Sequence, residues 1–315
     1  DLGAYRVKWR DPVITDYRGL RVAGMPPPSS GGGTIAAALA VLEPYQLSDM
    51  GAGSATYLHL LAEVMKAVFA DRANHYGDPD MADVPLERLI SAAHTDAIRA
   101  RLSASRAIPS ADYGRSTTGD DSGTSHISVI DEQGNAVAMT TSINTAFGSM
   151  VAVPRRGIIL NNTMDDFSAR PGLPNIYGLV GSEANSIAPR KRPLSSMSPT
   201  IVLEGGKARL ALGASGGPLI ISASLQTILG VTDLSLHAGE AVAAPRIHHQ
   251  WIPEVLGFEK GIAPAVGRSL GRRGHQLMPL SGSASVQAVE LTRAGDKTLL
   301  RAVSDPRKGG RPAAY

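Results

Sequence analysis

The sequence predicts an α+β fold, with paired strands forming layers and helices grouped apart from them. Three observations carry this. Apolar segments with helical spacing dominate the first third of the chain. An abrupt switch to strand-type alternation follows at residue 124. Beyond it, short strand-like runs separated by turn residues read as strand pairs joined by turns, a pattern that suits hairpins more than parallel βαβ units.

The elements follow in order. Residues 26–33, PPPSSGGG, form a rigid-then-flexible turn, and the Ala-rich TIAAALAVLE after it predicts a helix. Ser54 can cap a second helix, in which Leu58, Leu61, Ala62, Met65, Val68 and Phe69 recur at spacings of three and four; GDPD stops it near Tyr76. A third helix is expected over 85–103. Residues 104–123 are small and polar, a linker or exposed loop. A hairpin begins at Thr124, with Ile127 and Val129 on one face and Ser128 and Ile130 on the other. Asp131–Asn135 is its turn and 136–143 its return strand. Strands are expected at 157–161, 199–203 and 208–213, and a helix after Gly217 through IISASLQTIL.

Composition bounds the function. The chain has 315 residues with 43% apolar and 19% charged side chains, enough to bury a core and too apolar for global disorder. Net charge is +3, and the one dense basic stretch, Arg307, Lys308 and Arg311, reads as a solvated tail. Nothing resembles a basic stripe with interleaved aromatics, so nucleic acid is not a predicted partner. The absence of cysteine excludes disulfides, thiol chemistry and cysteine-ligated zinc. No run reaches the roughly 18 apolar residues of a membrane span, and no signal peptide is visible. A first residue of Asp1 leads us to expect a mature, trimmed or partial chain.

The junction Gly123-Thr124 has the ingredients of an N-terminal nucleophile. A hydroxyl opening a strand after a Gly-containing loop can attack the preceding carbonyl, and an N→O acyl shift and hydrolysis then free an α-amine. With a pKa of about 8, that amine can act as base for its own hydroxyl. From spacing alone, Thr124 reads as an ordinary strand residue. Other sites read singly are also ordinary: Asp166 after Asp165 as a cap or turn residue, Ser195 and Ser196 after Pro193 as a turn, Asn161-Asn162 as a loop.

Their joint occurrence points further. TSHISVIDEQGNAVAMTTSINTAFGS, GIILNNTMDDFSARPG, KRPLSSMSPT and GASGG are similar, in order and spacing, to the small-subunit motifs of gamma-glutamyltranspeptidases. Upstream, DYRGLRVAGMPPPSSGGGTI and FADRANHYGDPD resemble the end of that family's large subunit. APRIHHQWIPE and DPRKGGRPAAY fit as well, so the likeness covers nearly the whole chain.

That resemblance implies a four-layer αββα sandwich of the N-terminal nucleophile hydrolase type. It divides the chain at a self-cleavage point, with 1–123 the end of the large-subunit region and 124–315 the small, catalytic region. It implies Thr124 as nucleophile, with Ser142 where the family usually has a threonine bonded to it. Asn144 and Asp166 match residues that hold the substrate's α-amino and α-carboxylate end, and Ser195 and Ser196 match hydroxyls on the α-carboxylate. Gly216 and Gly217 match the oxyanion hole, and Tyr177 the tip of a lid loop. Thr163 stands where many members carry a glutamine that grips the substrate. The family also has an arginine that pairs with the α-carboxylate, in a portion before the matched region, and this sequence shows no counterpart to it. The implied reaction is gamma-glutamyl transfer or hydrolysis on glutathione and related amides, with acceptor amino acids or dipeptides, without metal or organic cofactor. The implied partners are these small molecules and the two cleaved segments as a heterodimer. The implied location is the periplasm or exterior.

Three alternatives stand beside this. Gly213-Ala214-Ser215-Gly216-Gly217 fits G-x-S-x-G, a nucleophile elbow with Ser215 and a base from His237, His248, His249 or His275. A glutaryl or cephalosporin acylase would use the same threonine on another acyl group. A truncated, unprocessed member would be inert. His248-His249, adjacent on a strand, point to opposite faces and suit packing better than a shared metal. PPPSSGGG lacks the G-K-[ST] ending of a phosphate loop.

Overall fold

The structure is a computed structural model that describes residues 2–112, 123–280, 283–295 and 297–314. Strands β1 (Val13–Tyr17) and β2 (Leu20–Gly24) pair antiparallel and lead into helix α1 (Gly31–Leu42). Its start lies inside the glycine run, earlier than the expected TIAAALAVLE. The short α2 (Leu47–Met50) precedes α3 (Ala55–His75), where the Ser54 hydroxyl accepts the Tyr57 N–H at 3.1 Å as the expected cap. The single helix expected over 85–103 is instead two, α4 (Leu86–Leu89) and α5 (Ala92–Arg101). Ser91 breaks it: its backbone is extended and its side chain caps His94 N–H at 3.3 Å. Half of the 104–123 linker, residues 113–122, lies outside the described residues.

The hairpin is as expected: β3 (Thr124–Ile130) pairs with β4 (Ala136–Ser142), placing Thr124 opposite Ser142. β5 (Ala152–Val153) and β6 (Ile158–Ile159) form a two-residue ladder, shorter than the expected 157–161 strand. β7 (Thr200–Glu204) and β8 (Lys207–Ser215) follow, then α6 (Leu219–Thr232) and α7 (Ala238–Ala243). The last third holds β9 (Ile247–His248), β10 (Leu256–Phe258), α8 (Pro264–Arg272), β11 (Leu277–Pro279), β12 (Ser285–Ala294) and β13 (Lys297–Ser304).

The main sheet has the order β1-β2-β7-β8-β12-β13 and is antiparallel throughout. β8 is buried along nearly its whole length because both of its faces are covered. On one side, Leu210, Leu212, Ala214 and Val286 meet Ile35 and Leu39 of α1, Leu61 and Met65 of α3, and Ile221 and Ile228 of α6 in one apolar core. Each such Leu or Ile contributes about 1.5–3 kcal/mol of transfer energy. On the other side lies the β3–β4 hairpin. Ile130 packs with Ala208, Ala211 and Leu291, and Ser128 Oγ donates to Gln287 O at 3.1 Å. Thr124, His126 and Ile130 therefore face the main sheet, while Ile127 and Val129 face outward, each about half exposed. Helices, sheet and hairpin stack in that order, an α+β arrangement.

The large core draws on residues both before and after position 123. The expected boundary at Gly123-Thr124 thus falls within a sequence whose core it does not divide.

Candidate active site

Thr124 is the first residue of β3, buried, at the end of the hairpin where β3 meets the loop after β4. Its Oγ1 lies 3.0 Å from Ser142 Oγ. Ser142 Oγ also accepts the Asn144 N–H at 3.0 Å, which leaves the serine proton free for Thr124 Oγ1. A serine at position 142 thus still reaches the Thr124 hydroxyl. Just before it, Gly123 O accepts the Ile143 N–H at 3.3 Å. A Cβ on Gly123 would stand 2.1 Å from Asn144 O and 2.2 Å from Thr145 O, so only glycine fits there.

A small pocket opens beside the threonine. Its lining includes Thr124, Ser142, Asn144, Asp166, Tyr177, Ser195, Ser196 and Gly217. The fold thus gathers residues from six separate stretches of sequence. Asn144 is buried with φ 74°; its Nδ2 donates to Asn162 O at 3.2 Å, and its Oδ1 accepts from the Tyr177 hydroxyl. Tyr177 is itself buried and lines the pocket. Thr163 is absent from the lining: its hydroxyl donates to Asn161 Oδ1 at 2.7 Å.

The two serines stand on a loop that PPPSSGGG holds. Ser30 N–H donates to Ser195 O, and Ser195 N–H to Pro28 O, both at 2.8 Å. Ser29 Oγ donates to Met197 O at 2.6 Å, and Ser30 Oγ to Ser195 O at 2.8 Å. The glycines that follow let α1 approach this loop, since a Cβ on Gly31 would stand 2.3 Å from Ser198 Oγ. The run that loosely resembled a phosphate loop is therefore the scaffold of the serine pair. Asn185, buried and unremarked in the sequence, joins the acidic and serine segments: Nδ2 donates to Asp166 O at 2.8 Å, and Oδ1 accepts Leu194 N–H at 3.0 Å.

Gly216 and Gly217 have φ 137° and 51°, values that favour glycine, in the turn between β8 and α6. A Cβ on Gly216 would also meet Ala284 Cα at 2.7 Å. Gly217 lines the pocket, and the turn sits at the N-terminal, electropositive end of α6. This is a strand-turn-helix, as the elbow alternative requires, yet β8 is antiparallel to both neighbours. None of His237, His248, His249 or His275 lines the pocket. Gly213 instead makes room for His126, whose ring atom Cε1 would lie 2.3 Å from a Cβ there. Ser215 Oγ accepts from Lys308 Nζ at 3.2 Å.

The basic tail is solvated at Lys308 and Arg311, as expected, but Arg307 is half-buried and the Lys308 ammonium also reaches back to the hairpin. Lys308 Nζ also donates to Thr124 O at 3.4 Å. Arg307 pairs with Glu259 at 2.6 Å and Asp305 at 3.1 Å, and caps the Val242 and Ala244 carbonyls at the end of α7. The tail is thereby fastened beside Thr124.

A cation also escaped the sequence reading. Arg72, in the last turn of α3, is buried and donates from Nη2 to Ser196 Oγ at 3.1 Å. Burial drives its pKa down to about 10, with attraction to Asp166 opposing, so it stays charged at neutral pH. Its signal was a basic residue seven after Met65 and four after Val68, on the buried stripe.

His59, Glu63 and His275 bring donor atoms close together elsewhere in the core. Lys66 already supplies the positive charge there: its Nζ lies 2.9 Å from Glu63 Oε1, while His59 Nδ1 and His275 Nε2 are hydrogen-bonded at 2.7 Å. The buried His248 bonds Ser222 Oγ at 2.5 Å and Gln250 Oε1 at 2.9 Å. Among the described residues, no helix is long and apolar enough to cross a membrane.

Comparison with known proteins bears on this geometry. The gamma-glutamyltranspeptidase family model matches residues 1–315. The glutathione hydrolase proenzyme of Escherichia coli (strain K12) is 43% identical over 309 residues, which are 98% of this chain and 53% of that protein. The chain spans about half the length of the curated relatives it matches. A crystal structure of a Helicobacter pylori gamma-glutamyltranspeptidase mutant aligns with TM-score 0.57 and 45% identity, over 58% of this chain and 99% of that one. The cephalosporin acylase of Bacillus halodurans aligns with TM-score 0.83 and 24% identity, over 100% of this chain and 55% of that one, a likeness of fold. The fold is that of the N-terminal nucleophile hydrolases, and the chain belongs to the gamma-glutamyltranspeptidase family.

Proposed function

We propose that the protein cleaves itself between Gly123 and Thr124 and then transfers or hydrolyses gamma-glutamyl groups through a Thr124 acyl-enzyme. The observation that carries this is a threonine hydroxyl in a pocket whose lining also includes a carboxylate, two serine hydroxyls and a glycine of the β8–α6 turn.

The chemistry follows from those parts. Thr124 Oγ1 attacks the gamma-carbonyl of glutathione or a related amide. Its proton passes to the α-amine that cleavage has freed. Backbone N–H groups of Gly216 and Gly217 receive the developing oxyanion, a contribution of about 3 kcal/mol per donor. The carbon–nitrogen bond breaks, and the amine leaves with the proton. Water or an acceptor amino acid or dipeptide then takes the glutamyl group and restores the threonine. Asp166 suits the substrate's ammonium through a charge-assisted bond, and Ser195 and Ser196 suit its carboxylate. Asp166 also favours this reading over a glutaryl acylase, whose acyl group has no ammonium to pair.

The shared core supports a further part of the reading, that segments 1–123 and 124–315 remain together as a heterodimer after cleavage. For location we propose the periplasm or exterior, on the family resemblance; cell fractionation tests it.

The test is mass spectrometry with release of a chromogenic amine from a gamma-glutamyl anilide. Wild type should yield two fragments split at Gly123-Thr124 and be active. Thr124→Ala should stay intact and lose activity by about 1,000-fold or more. Equal rates would remove Thr124 from the mechanism, and an uncut, inactive wild type would favour the inert alternative. Equal turnover of a glutaryl anilide would favour the acylase.

A further inference from the structure

Arg72 is buried to 3% exposure, and its guanidinium spends donors on two hydroxyls, Nε to Ser30 Oγ at 2.9 Å and Nη2 to Ser196 Oγ at 3.1 Å. A serine hydroxyl has a single proton and two lone pairs. With an Arg72 N–H on one lone pair, Ser196 has its proton to offer the pocket it lines. Ser195 is set the same way, since its Oγ accepts the Met197 N–H at 3.0 Å. Two hydroxyls with protons to give, one polarised by a buried cation, make an anion-binding edge. Asp166 gives the same pocket a cation-binding wall. Such a pair of sites matches the charges of an amino-acid zwitterion.

We propose that Arg72 is a positioning residue for the substrate's α-carboxylate. Through Ser196 it orients and polarises one of the hydroxyls that grip this group, and its charge offsets the carboxylate's loss of water. Ser30 fixes the other side of the guanidinium, so the PPPSSGGG turn shapes the anion edge twice: through the serine loop, and through the arginine behind it. The inference rests on the gamma-glutamyl reading above. It assigns Arg72 to binding and leaves the reacting atoms to Thr124.

The experiment compares two anilides, the gamma-glutamyl compound with a free α-carboxylate and its α-carboxamide analogue, on processed wild type, Arg72→Met, Arg72→Lys and Ser196→Ala. Wild type must prefer the carboxylate; failure to turn over either compound, or equal turnover of both, overturns the gamma-glutamyl reading itself, whatever Arg72 does. Given that preference, Arg72→Met should raise KM for the carboxylate roughly 10- to 100-fold and change KM for the carboxamide by no more than about twofold, with kcat nearly unchanged. Arg72→Lys keeps the charge and should recover part of the loss. An equal rise in KM for both compounds, or a fall in kcat for both, would make Arg72 merely structural and overturn the inference. If Arg72→Met does not fold or process, Arg72→Lys decides: a several-fold KM rise confined to the carboxylate compound supports the inference, and an equal rise or no rise overturns it.

Discussion

At the scale of single residues, the site depends on contacts too short to tolerate extra atoms. Gly123 is the clearest case, because a Cβ would collide with the Asn144 and Thr145 carbonyls. Gly123→Ala must therefore displace the peptide that Thr124 is proposed to attack. We expect self-cleavage to slow roughly 10- to 100-fold, from about 1–3 kcal/mol of overpacking strain. Timed mass spectra of the purified chain would measure it, and unchanged kinetics would show that the loop relaxes at no cost. The residue scale is also where sequence was most ambiguous. Thr124, Asp166 and Ser196 each had an ordinary reading, and only their joint pattern made them candidates. The helical period places Arg72 on the buried stripe, yet neither a lone arginine nor a lone asparagine such as Asn185 carries a local signature of what it will touch.

At the scale of elements, α3 carries an unusual load for a buried helix. Glu63 and Lys66 lie on it at 1% and 0% exposure, paired at 2.9 Å, with Glu254 adding a contact at 3.2 Å. The Glu63 carboxylate also accepts the Ile108 N–H at 2.9 Å, fastening the first part of the linker to the helix. Removing one partner leaves a buried charge uncompensated, which costs about 3–5 kcal/mol. Glu63→Gln should lower the urea midpoint accordingly with little change in slope. The double change Glu63→Leu and Lys66→Met should restore much of the loss; a single variant as stable as wild type would refute the account. Helix α3 was legible from its period and its Ser54 cap. The 85–103 helix was read too long because Ser91 is chemically able either to continue a helix or to cap a new one, and local propensity does not choose.

At the scale of the whole molecule, burial sets the response to acid. Desolvation lowers His126 and His248 to a pKa of about 4 and His275 to about 3. An unfolded histidine takes its proton near pH 6.5, so between about pH 6.5 and pH 4 the unfolded chain binds more protons than the native one. Stability is thus fully present above about pH 6.5 and falls as pH drops through that window. We expect Tm to decrease by about 5 °C or more between pH 7.5 and pH 5 in calorimetry, whereas a flat profile would show that these rings titrate without unfolding the protein. His126 matters most for the site, since its ring is the wedge between the hairpin and Gly213.

The sequence by itself determined the α+β class, the hairpin and its register of faces, the two long helices and, through motif likeness, which side chains were candidates. These are local properties: period, turn chemistry and short ordered motifs are written in neighbouring residues. Only the tertiary structure decided that PPPSSGGG supports the serine loop, that the basic tail fastens beside Thr124, and that a helix far along the chain delivers Arg72 to Ser196. Such contacts join residues more than a hundred positions apart. They depend on how the layers stack, and burial, not local sequence, sets their strength.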